Sequence, residues 1–135
     1  MLESQKKQPC VSDEPSAEEV VRIAAAAADA KKGQDIQAFN VRELTSIADF
    51  FLFVTATSTT QVRAIYEAVD AAMAGIGREP LNVEGKDGYH WVLMDYADVI
   101  VHVFLEEARA FYGLERLWGD APRLELGLEG EPGDR

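Results

Sequence analysis

Cysteine is nearly absent from this chain: Cys10 is the one thiol in 135 residues, and it sits in a polar N-terminal stretch. A lone thiol excludes a disulfide framework within the chain and a zinc site of the Cys/His type. Histidine is scarce too. His90 and His102 stand without a Ser-His-Asp or Cys-His order around them, so nucleophilic catalysis has no support. Long apolar runs are missing. The longest stretch, around Ala24–Ala28, is essentially alanine, far short of the roughly 20 residues that span a bilayer. Met1–Gln8 lacks the apolar core of a signal peptide. A cytoplasmic protein with no membrane partner is the expectation.

Positive charge is the last deficit. Thirteen Lys and Arg face 24 Asp and Glu, for a net charge of −11. Phosphate-led binding rests on clustered Lys and Arg, so no direct nucleic-acid recognition is expected. Complementary fields favour a basic protein partner; the plainer reading is that acidity serves solubility.

What is present fits one domain. Residues 1–15 carry two prolines and scattered charges and read as a flexible tail; 122–135, rich in Gly, Glu and Pro, read the same way. The domain is expected over 16–121. Ser16 with Glu19 is a capping-box pattern, and Val20, Ile23, Ala24, Ala27 and Ala28 follow at helical spacing up to Gly33. Ile36–Val41 reads as a strand. Phe50–Thr55 is continuously apolar and suits a strand buried on both faces. Ser58 and Gln61 form a second capping pattern ahead of Val62, Ile65, Tyr66, Val69, Met73 and Ile76, with Gly75 or Gly77 as the stop. Leu81–Val83, Tyr89–Met94 and Val99–Leu105 read as strands, the last two as a hairpin around Asp95-Tyr96-Ala97-Asp98. A short helix around Glu107–Tyr112 and the segment Leu114–Trp118 close the domain. The pattern predicts an α/β fold: a mixed β-sheet of about five strands with helices packed on it.

Four features could carry chemistry. The hydroxyl-rich Thr55–Thr60 joins a strand to a helix N-terminus, a place that can hold phosphate, but it has no glycine and no P-loop lysine. Asp95 and Asp98 could hold a divalent ion, yet a spacing of three is not the spacing of two that puts strand neighbours on one face. Turn formation and an acidic docking rim are the competing readings. His102 shares a strand face with Ile100 and Phe104 and reads as structural. Tyr89, Trp91 and Leu93 alternate against His90, Val92 and Met94. If Val92 and Met94 face the core, Trp91 and Leu93 form an apolar anchor beside two aspartates. If Trp91 faces the core, that patch does not exist. Periodicity leaves both open.

Three ordered motifs resemble the ribosomal silencing factor family (RsfS, also called Iojap-like). The first is Ala48-Asp49-Phe50-Phe51, then Thr55-x-Thr57-Ser58-x-x-Gln61-Val62-x-Ala64-Ile65. The second is Glu84-Gly85, then Trp91-x-Leu93-x-Asp95-Tyr96-x-Asp98-Val99-Ile100-Val101-His102-Val103-Phe104. The third is Arg109-x-Phe111-Tyr112-x-Leu114-Glu115-x-Leu117-Trp118-x-Asp120-Ala121. The resemblance covers roughly residues 16–121. It implies a nucleotidyltransferase-like fold without catalysis, and no cofactor, metal or catalytic residue. It implies a translational repressor that binds the large ribosomal subunit at its protein fourteen. Such a protein sterically blocks joining of the small subunit under nutrient limitation, and often forms a homodimer. The expected partner-binding residues are Tyr89, Trp91, Leu93, Asp95, Tyr96 and Asp98. The other reading is a nucleotidyltransferase-like nucleotide-binding enzyme. The chain departs from the family pattern at Ala56 and Ala97, where Gly is usual or frequent, and at Thr59-Thr60, where Asn-Arg is usual.

Overall fold

Residues 16–107, 122–124 and 126 are described by the structure, a computed structural model. The elements are α1 (Ala17–Ala30), β1 (Gln34–Asn40), β2 (Phe50–Ala56), α2 (Thr59–Gly75), β3 (Asn82–Glu84), β4 (Trp91–Asp95), β5 (Val99–Leu105) and β6 (Arg123–Leu124). The expected helix around Glu107–Tyr112, beyond Glu107, and the segment Leu114–Trp118 lie outside the described residues.

Both helices begin on a serine. Ser16 Oγ accepts from the Glu19 amide while the Ser16 amide donates to Glu19 Oε1, so the capping box closes. The second box closes only on one side. Ser58 Oγ accepts from the Gln61 amide at 3.1 Å, but the Gln61 side chain turns away. Its Nε2 donates to the Lys31 and Lys32 carbonyls, and its Oε1 accepts from Thr57. It thereby ties the end of α1 to the start of α2 and satisfies carbonyls that a helix end leaves open.

The helix stops are both of Schellman type. After α2, the Gly77 amide bonds the Ala74 carbonyl and the Arg78 amide bonds the Met73 carbonyl. Gly77 takes the left-handed conformation at φ +80. After α1 the left-handed residue is Lys32, φ +66, rather than Gly33. Gly33 is needed for another reason: a Cβ there would lie 2.7 Å from Val54 Cγ1 and 3.0 Å from the Ala28 carbonyl.

The sheet has six strands in the order β3-β4-β5-β2-β1-β6. β2 and β5 run parallel and the other pairs antiparallel. The sheet is therefore mixed, as expected, with one strand more than the sequence suggested. The extra strand corrects the C-terminal boundary: β6 pairs with β1, Ala38 opposite Leu124, and Leu126 is buried. Its two residues are too few for a periodic signal, so a Gly- and Glu-rich context hid it. β2 is central and every residue of Phe50–Ala56 is buried, as its unbroken apolar run requires.

α1 and α2 cover one face of the sheet, packing Val20, Ala24, Ile65 and Met73 onto Leu52, Val54, Val92, Met94 and Val101. The opposite, outer face carries a second cluster: Phe39, Val41, Ala48, Phe51, Phe53, Ile100 and Phe104, with Trp91 and Leu93 packed at its margin. Burying one such aromatic or aliphatic side chain contributes about 1.5–3 kcal/mol, so both faces stabilise the sheet.

Candidate functional site

Strand alternation resolves the face of β4. Val92 and Met94 are fully buried beneath the helices. Trp91 and Leu93 therefore project from the outer face, and both are half-buried. Their partners on β5 are Phe104 and His102. The Trp91 ring stacks on Phe104 with centroids 5.4 Å apart. Its Nε1 donates to His102 Nδ1 at 3.2 Å. His102 is buried between the edges of Phe51 and Phe53. Burial pushes its pKa down to about 4, because the charged ring would lose its hydration. The Trp91 orientation is thus fixed from behind by a neutral histidine.

The other expected contact residues part company with Trp91. Tyr89 has φ +57, which breaks the alternation, and its ring packs on the helix-side core. Arg63 of α2 lies over that ring at 5.8 Å from the centroid while pairing with Glu67. Tyr96 is buried on the helix side, and its hydroxyl donates to Asp70 Oδ1 at 3.2 Å. Burial, and then the Asp70 charge, push its phenol well up. Neither tyrosine belongs to the outer face.

The two aspartates also separate. Asp95 is half-buried beside Leu93's face, and its Oδ1 accepts from the Ala97 amide at 2.8 Å. Asp98 accepts from Arg78 Nη2 on both oxygens, at 3.0 and 2.7 Å, and Arg78 Nη1 donates to the Tyr96 carbonyl. This pair is partly buried. One carboxylate caps a turn and the other is held by a guanidinium, so they do not converge as metal ligands. Among the described residues no group of three His, Cys, Asp or Glu side chains could hold a metal ion. Sequence reasoning gave no role to Arg78; its place after Gly77 in a helix stop was the available signal.

Residues 14–134 match the family described as "Ribosomal silencing factor during starvation", RsfS. The chain belongs to the RsfS family. It is 42% identical over 111 residues to the ribosomal silencing factor RsfS of Halalkalibacterium halodurans, covering 82% of this chain and 95% of that protein. Against RsfS of Bacillus subtilis it is 41% identical, covering 79% and 91%. It is 36% identical to the chloroplastic protein Iojap of Zea mays, covering 76% of this chain but 44% of that protein. A crystal structure of a Chromobacterium violaceum protein superposes with a TM-score of 0.76 at 31% identity, covering 84% of this chain and 94% of the other. The family's name describes regulation of ribosomes in starvation rather than a catalysed reaction. Among the described residues no helix is long and apolar enough to cross a membrane. Two departures from the RsfS pattern have visible settings: Ala97 takes φ +77, where Gly costs less, and Ala56 is buried at the end of β2. Nothing in the structure explains Thr59 and Thr60, which are exposed in the first turn of α2.

Proposed function

We propose that this chain is a cytoplasmic translational repressor that docks on the large ribosomal subunit at its protein fourteen and sterically blocks joining of the small subunit, lowering translation under nutrient limitation. The observation that carries the reading is the Trp91–Leu93 pair on the outer face of an RsfS-family chain, half-buried and beside Asp95. Half-buried aromatic and aliphatic side chains serve as anchors that exclude water from a contact, with polar groups around them. A net charge of −11 steers the domain toward basic ribosomal proteins and away from bare phosphate. Trp91, Leu93 and Asp95 form the contact. Tyr89, Tyr96 and Asp98 hold the hairpin in place behind it.

A homodimer is the second partner this reading includes. Co-sedimentation tests the function. The protein is expected to pellet with purified large subunits, and to reduce the particles formed when small subunits are added. Failure to pellet with large subunits would remove the reading.

A further inference from the structure

The docking face extends beyond β4 onto the edge of the sheet. β3 pairs antiparallel with β4 with Glu84 opposite Leu93 and Asn82 opposite Asp95. Directly paired residues share a face. Glu84 and Asn82 therefore lie on the outer face, in line with the Trp91–Leu93 anchor, while Val83 packs on the helix-side core. β3 ends the strand order among the described residues, so a partner reaches this edge without displacing a strand.

We propose that Glu84, oriented by Asn82, is the carboxylate with which the docking face takes a Lys or Arg of its partner. The inference rests on the docking reading above. Three observations favour Glu84 over the aspartates. Asp98 has both oxygens on Arg78. Asp95 is half-buried and gives one oxygen to the Ala97 amide. Glu84 is exposed, and its one side-chain hydrogen bond among the described residues is accepted by Oε2 from Asn82 Nδ2 at 2.7 Å. Among the described residues Oε1 accepts no hydrogen bond, which leaves it for the partner.

The next residue holds this carboxylate close to the anchor. Gly85 has φ +96, and a Cβ there would lie 1.9 Å from the Trp91 carbonyl oxygen. The chain after Glu84 thus turns directly against the backbone of Trp91. Only glycine fits that approach. A carboxylate already oriented before contact loses less side-chain freedom on binding. Asn82 is a positioning residue; Glu84 makes the contact.

The test is titration calorimetry of the full chain against isolated large-subunit protein fourteen. Glu84→Gln is expected to weaken binding about fivefold at low salt, with the difference shrinking as salt rises. Glu18→Gln removes the same charge from α1 on the opposite face and is expected to stay within about twofold. Asn82→Ala is expected to weaken binding in the wild type and to have no further effect in Glu84→Gln, with an unchanged Tm in both. Equal losses for Glu84→Gln and Glu18→Gln, with Trp91→Ala still weak, would overturn the Glu84 assignment and leave the docking reading standing. Absence of binding by the wild type would overturn both.

Discussion

Trp91 Nε1 donates to His102 Nδ1 at 3.2 Å across the β4–β5 pair. Nδ1 is an acceptor in that bond, so the neutral ring carries its proton on Nε2. Nε2 has no hydrogen-bond partner among the described residues. Protonation would turn the acceptor into a donor facing another donor, inside an aromatic cluster. Trp91 and the buried histidine are thus one unit.

The unit makes stability depend on pH. His102 titrates near 6.5 when unfolded and at about 4 when folded, lowered by burial. A depressed folded value means the unfolded chain binds the proton first. The contribution is complete above pH 6.5 and is lost as pH falls from 6.5 toward 4, by about 3 kcal/mol at most. Denaturant unfolding at pH 7.5, 6 and 5 is expected to show a steeper loss for wild type than for His102→Gln, which keeps an acceptor for Trp91. Parallel losses would contradict the role of His102.

The hairpin tip is strained at one residue. Ala97 has φ +77, a region that costs a residue with a Cβ about 1–2 kcal/mol. Part of the gain from glycine is offset by its greater freedom when unfolded. Ala97→Gly is expected to raise stability by about 0.5–1 kcal/mol, read as a higher denaturation midpoint with an unchanged slope. A lower midpoint would show that the turn is not strained.

Arg78 and Asp98 join the end of α2 to the hairpin loop. A charge-assisted, partly buried pair exceeds an exposed one in strength. Arg78→Ala and Asp98→Asn are each expected to cost about 1–2 kcal/mol of stability, and the double variant little more than either alone. Large-subunit binding by folded Asp98→Asn is expected to match wild type. Thermal unfolding and co-sedimentation on the same samples check both parts. Lost binding with an unchanged Tm would return Asp98 to the docking rim.

Local rules read the elements well and the pairings poorly. Ser16-Glu19 announced α1, and the apolar run Phe50–Thr55 announced a strand buried on both faces, because caps and burial act over a few residues. The two-residue β6 was invisible because its reason is long-range: it satisfies the free edge of β1. Trp91's face was undecidable because both sets of alternating residues are apolar, and each face of this sheet has its own cluster. Tyr89 was misplaced on that face because a positive φ breaks the two-residue period. The bond from Arg78 to Asp98 spans 20 residues and leaves no sequence period. Asn82 and Glu84 became visible beside Leu93 only once the β3–β4 register was known.

Docking through the outer face of β4 is tested most directly by titrating isolated large-subunit protein fourteen with wild type, Trp91→Ala and Asp95→Ala, each first shown to be folded. Truncating a buried aromatic anchor costs about 2 kcal/mol or more, roughly thirtyfold in Kd. A rim carboxylate contributes about 0–1 kcal/mol. Trp91→Ala is expected to lose at least thirtyfold and Asp95→Ala less than about fivefold. Equal losses, or wild-type affinity in folded Trp91→Ala, would contradict docking through this face.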